Sequence, residues 1–102
     1  MPQAEGLTMS YDELKRRVFE IACMMASKGA GYGQERVVLQ AVEEEVGAEL
    51  RKIHPEKLKR DQLVLTAWHD LFREGQLAWG YNVDNPNSPF FHVPERTIQA
   101  MN

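Results

Sequence analysis

Lys59, Gln62, Thr66, His69 and Arg73 recur at spacings of three and four, which on an α-helix lines them along one face. Glutamine and arginine can bond base edges, threonine can meet a base or a phosphate, and a duplex major groove admits one helix. Lys52, Lys57 and Arg60 fall before or at the start of this row, where cations would neutralise phosphates and add salt-dependent affinity. Five of the twelve basic residues, Arg51, Lys52, Lys57, Lys59 and Arg60, crowd into ten positions around His54. Opposing this, Glu43, Glu44, Glu45 and Glu49 come just before, and Asp61 and Asp70 lie within the row's own helix. Carboxylates repel phosphate, so a solvated face with local ion pairs competes with the binding reading.

Other chemistries find less support. His54, His69, His92 and Cys23 are scattered without ligand spacing, and no nucleophile has a base and an orienting acid beside it. The expectation is no enzyme activity, no metal and no cofactor, and no small-molecule ligand is evident. Gly29, Gly31 and Gly33 alternate in a run read as a loop; without a strand before it or a Gly-Lys-Ser/Thr after it, it is a poor phosphate cradle. Trp79, Tyr81, Phe90 and Phe91 could stack on bases, but alternating strand aromatics more often pack on a core.

The elements that must position the polar row are legible in apolar spacing. Ser10 caps a first helix whose inner stripe is Tyr11, Leu14, Val18, Ile21, Ala22 and Met25, ending near Gly29. Phe19, Cys23 and Met24 widen its apolar surface, making it the candidate dimer interface together with the C-terminal segment. A second helix runs from Gln34 through Val38, Leu39, Val42, Val46, Leu50 and Ile53, with Gly47 either ending it or lying inside it. A third, with Pro55 in its first turn, buries Val64, Leu65, Trp68, Leu71 and Phe72 and stops at Gly75. Leu77 to Val83 and Phe90 to Val93 then read as two strands joined by the turn Asp84-Asn85-Pro86-Asn87-Ser88-Pro89, and Glu95 to Met101 as a short last helix.

At 102 residues, 43% hydrophobic and 26% charged, the chain fits one globular domain over 10–102 behind an extended or disordered segment 1–9. A net charge of −3 argues against indiscriminate coating of nucleic acid. With one cysteine, no basic-apolar leader at residues 1–6 and no apolar run of membrane-spanning length, the expected setting is cytoplasmic and without a membrane.

Leu71, Glu74, Gly75 and Leu77, joining the third helix to a strand, resemble the winged helix-turn-helix family, and Phe91-His92-Val93-Pro94-Glu95-Arg96 looks like the second wing strand and final-helix start of bacterial repressors of the MarR and PadR groups. The resemblance implies a mainly α fold, a three-helix bundle with a C-terminal β-hairpin wing. It also implies a duplex DNA-binding transcriptional regulator that reads with helix three and works as a homodimer. The wing tip holds Asp84 and no basic residue, so it would touch DNA only through Asn85 or Asn87, or serve packing and protein contact. An alternative is a winged-helix protein-interaction module, or the N-terminal part of a larger protein, without direct DNA binding.

Overall fold

The computed structural model describes residues 9–29 and 31–97; the expectations for residues 1–8 and for the last helix beyond Thr97 lie outside them. In chain order the elements are α1 (Tyr11–Lys28), β1 (Tyr32–Gln34), α2 (Glu35–Ile53), α3 (Lys57–Arg73), β2 (Ala78–Trp79) and β3 (Phe90–His92). The molecule is mainly helical with a small antiparallel sheet of order β1-β3-β2.

α1 begins as its cap dictates: Ser10 Oγ accepts from the Glu13 amide at 3.0 Å, with Asp12 and Glu13 at the positive end of the helix dipole. Leu14, Val18, Ile21, Ala22 and Ala26 form its buried face, flanked by half-buried Tyr11 and Met25. α2 buries Val38, Ala41, Val42, Val46 and Leu50, and Gly47 lies inside it. Where Gly47 lacks a side chain the Glu43 carboxylate lies across the helix, 2.5 Å from the place a Cβ would take, and reaches Arg51 at 3.0 Å.

Three expectations need correction. First, the sheet has three strands, since part of the glycine-rich run is a strand: Tyr32, Gly33 and Gln34 pair with His92, Phe91 and Phe90. A Cβ on Gly33 would sit 2.8 Å from the Phe91 ring, so the missing side chain is what lets β1 cross that ring. Second, the strand expected over 77–83 is limited to Ala78–Trp79, because Gly80 turns at φ 111° and Tyr81 donates its amide to Asn85 in a local turn. Third, Pro55 stays outside α3. His54 before it and Glu56 after it are both extended, Glu56 occupies the cap position, and the first helical residue is Lys57.

Trp68 is fully buried at the centre of the core. Its ring meets Phe72, Phe91 and Trp79 edge-on, with centroids 4.8, 5.2 and 6.1 Å away, and Phe72 stacks on Trp79. The indole N–H donates to a Glu35 carboxylate oxygen at 2.8 Å, joining α3 to the first residue of α2. This satisfies a polar group whose burial would otherwise be costly.

Candidate nucleic-acid interface

α3 turns its inner arc, Ala67, Trp68 and Leu71, into the core, with Leu63, Val64 and Phe72 half-buried beside it. Lys59, Gln62, Thr66, His69 and Arg73 all face outward and are exposed. Leu65 departs from its expected place: it is 38% exposed and belongs to the outer face, while Ala67 is buried in its stead. With 3.6 residues per turn, positions two apart lie roughly 160° apart around the helix, so the two cannot share the core. Leu58, 65% exposed, lies seven residues before Leu65 and adds a second leucine to this face.

The outer side chains are not equally free. Thr66 donates its hydroxyl to the Gln62 carbonyl at 2.8 Å, which leaves its oxygen available only as an acceptor. Lys57 pairs with Asp61 at 2.6 Å, one turn along. Arg73 is held by Asp70. Among the described residues Lys52 and Lys59 make no ion pair, and both are exposed. His54, Lys59, Gln62, Leu63 and Thr66 line a shallow hollow of about 280 Å³. Arg60, expected to reach phosphate, is folded back instead: its Nη1 donates to the carbonyls of His54 at 2.9 Å and Pro55 at 2.7 Å, closing the turn between α2 and α3.

The C-terminal end of α3 is clasped to α1. Tyr11 donates its hydroxyl to Asp70, which also accepts from Arg73, and Lys15 reaches Glu74 at 2.6 Å. Burial, reinforced by the hydrogen bond to Asp70 and that residue's charge, pushes the Tyr11 hydroxyl up to about 12. The same hydrogen bond holds Asp70 below the ordinary carboxylate value, helped by the charges of Arg73 and Lys15 and opposed by partial burial. Beyond the helix, Gly75 turns at φ 81° and its carbonyl accepts from Arg96 at 3.1 Å, tying the C-terminal segment to the same end.

The loop between β2 and β3 is exposed from Tyr81 to Pro89, with Val83 at 93%. Asn85 spends part of its polar capacity locally: its backbone and side-chain N–H groups donate to Asn82 Oδ1 at 2.8 and 2.9 Å. Asn87 accepts the Phe90 amide through its backbone carbonyl and leaves its exposed side chain outward. Of the strand aromatics, Phe91 and Trp79 serve the core, whereas Tyr81 lies against Tyr32 at 3.9 Å with Phe90 alongside. His92 Nδ1 is within 2.9 Å of the Gly80 carbonyl and so belongs to the loop's architecture. Sequence reasoning missed the Glu35, Tyr11 and Arg96 contacts. Tyr11 carried a signal of burial in its spacing, but nothing in the local pattern named Asp70 as its acceptor.

Among the described residues no cluster of His, Cys, Asp or Glu could hold a metal ion, and no helix is long and apolar enough to cross a membrane. No protein-family model matches the chain, and no curated protein or solved structure is significantly similar to it, so its function is read from its own geometry.

Proposed function

We propose that the chain is a winged-helix DNA-binding domain that reads duplex DNA with the outer face of α3 and acts as a transcriptional regulator. One observation carries this: Lys59, Gln62, Thr66, His69 and Arg73 stay open to solvent along the length of α3 while Ala67, Trp68 and Leu71 anchor it from behind. A single helix fits the major groove, where Gln62 can meet an adenine edge and Thr66 can accept a base donor, with Lys52 and Lys59 set for phosphates. The element order, with the sheet completed after α3, supports the winged-helix reading. The apolar flank of α1, where Met24 is exposed and Phe19 and Cys23 are half-buried, supports a homodimer.

The test is a titration with a duplex selected from a randomised library, repeated across a range of salt. Lys59→Ala is expected to lower the slope of log affinity against log salt by about 0.9, the value for one lost phosphate contact. Arg73→Ala is expected to change it less, since Asp70 already balances that charge. No measurable binding, or equal slopes for wild type and Lys59→Ala, rejects the reading. A protein-interaction role is favoured by a different observation, the exposure of Leu58 and Leu65 on α3 and of Val83 in a β2–β3 loop that holds no basic residue. Under that reading Leu58→Ser with Leu65→Ser abolishes partner binding and Lys59→Ala leaves it intact.

A further inference from the structure

Arg60 stands in the first turn of α3, where a positive charge opposes the helix dipole. α3 has neither a side-chain cap bond nor an acidic residue in that turn to fix its start. On the other side of the turn α2 ends with carbonyls that lack helical partners. The His54 amide caps Leu50 at 2.7 Å, but Pro55 has no N–H to offer. The Arg60 guanidinium reaches back five and six residues and donates to both the Pro55 and the His54 carbonyl. Its Nε is buried and has no hydrogen-bond partner among the described residues. With Nη1 shared between two carbonyls and Nε enclosed, only Nη2 is left to meet a phosphate, and the two-nitrogen grip that arginine ordinarily uses is lost.

We infer that Arg60 is a positioning residue that locks the turn between α2 and α3 and thereby aims the outer row of α3, rather than a phosphate ligand. The inference rests on the DNA-reading role of α3, and one of its readouts is independent of that role. Both bonds come from the one nitrogen Nη1, which stands one bond farther from the backbone than a lysine Nζ and is held in the plane of the guanidinium, so the shorter, freely rotating lysine reproduces the bridge poorly. Removing it frees the direction of α3 while leaving its phosphate-binding cations in place.

Arg60→Gln, Arg60→Lys and Lys59→Gln are compared with wild type, well below the unfolding temperature of each. The probes are the library-selected duplex and a scrambled duplex of the same length. Arg60→Gln is expected to keep the wild-type salt slope while its preference for the selected duplex falls roughly tenfold, the scale of one lost base contact. Lys59→Gln does the reverse, losing about 0.9 of slope on both duplexes. Arg60→Lys keeps the slope and loses the preference; should Arg60→Gln fold poorly, this variant gives the same two readings. Hydrogen exchange of the His54 amide, measured without DNA, is expected to accelerate in both Arg60 variants and to stay unchanged in Lys59→Gln. If wild type binds no duplex the reading of α3 fails, while the exchange rates still report whether Arg60 locks the turn. Unchanged exchange overturns the inference, and so does a slope loss in Arg60→Gln equal to that of Lys59→Gln, or full preference in Arg60→Lys.

Discussion

The two ends of α3 carry similar residue types and hold them in opposite ways. At the N-terminal end, Lys59 and nearby Lys52 are exposed and free of ion pairs among the described residues, Lys57 has only the surface partner Asp61, and Arg60 spans the turn. At the C-terminal end every charge is answered: Asp70 by Tyr11 and Arg73, Glu74 by Lys15, and the Gly75 carbonyl by Arg96. A row of polar side chains that looks uniform along the helix is therefore open and cationic at one end, clasped and balanced at the other. Exposed pairs such as Lys57–Asp61 contribute little to stability, so the N-terminal end can exchange its partners for a ligand's at small cost. The clasped end holds the helix against α1 while that happens.

Both ends depend on Trp68, and its removal erases the contrast between them. Trp68→Ala takes away the ring that Phe72, Phe91 and Trp79 pack around, and leaves Glu35 without its donor. The expected loss is about 3–5 kcal/mol, read as a lower urea midpoint. Such a loss would leave a domain of this size marginal or unfolded. A midpoint close to wild type would mean that the two ends are held by their own contacts and not through this ring. Gly33→Ala approaches the same anchor from the sheet. Its Cβ would stand 2.8 Å from the Phe91 ring, which packs edge-on against Trp68. Overpacking of this kind costs about 1–3 kcal/mol, again measured by urea unfolding. It should slacken both ends alike, and an unchanged midpoint would show that β1 is not braced against Phe91.

What could be read from the sequence follows how local the cause is. Ser10 caps α1 through an amide three residues away, and the buried stripes of α1 and α2 arise from spacings of three and four, so these elements are legible. The outward turn of Lys59, Gln62, Thr66, His69 and Arg73 follows from the same periodicity. β1 was illegible because its partner lies some sixty residues on: Gly33 reads as a loop glycine until Phe91 is set against it. Leu65 was misplaced because an apolar run gives a helix more hydrophobic positions than its inner arc can bury, and small Ala67 took the buried place. The candidate site was legible as a set of charges but not as a set of free charges. Whether Arg60 or Arg73 is available depends on the His54 and Pro55 carbonyls and on Asp70, and Asp70's own clasp on a tyrosine fifty-nine residues away.

The smallest expected effect sharpens the comparison most, because it alters one end alone. Tyr11→Phe keeps the ring and removes the hydroxyl that donates to Asp70, leaving Arg73 and Lys15 to hold that carboxylate. Asp70 is held below its ordinary 3.8 in the fold, so its contribution is complete above 3.8 and is lost as pH falls through the lowered value. Tyr11 is raised in the fold from 10.0 to about 12, so its contribution is complete below 10.0 and is lost as pH rises through about 12. The difference in urea midpoint between wild type and Tyr11→Phe should thus be flat between 3.8 and 10.0 and shrink on either side. A difference that persists undiminished well below 3.8 would trace the loss to contacts of the hydroxyl that do not depend on the charge of Asp70. Because Lys59 lies at the other end of α3 and Lys52 in the last turn of α2, the salt slope for duplex binding should be the same in both proteins at neutral pH. A slope that changes with Tyr11→Phe would mean that the clasp, by holding Asp70, also keeps Arg73 away from phosphate.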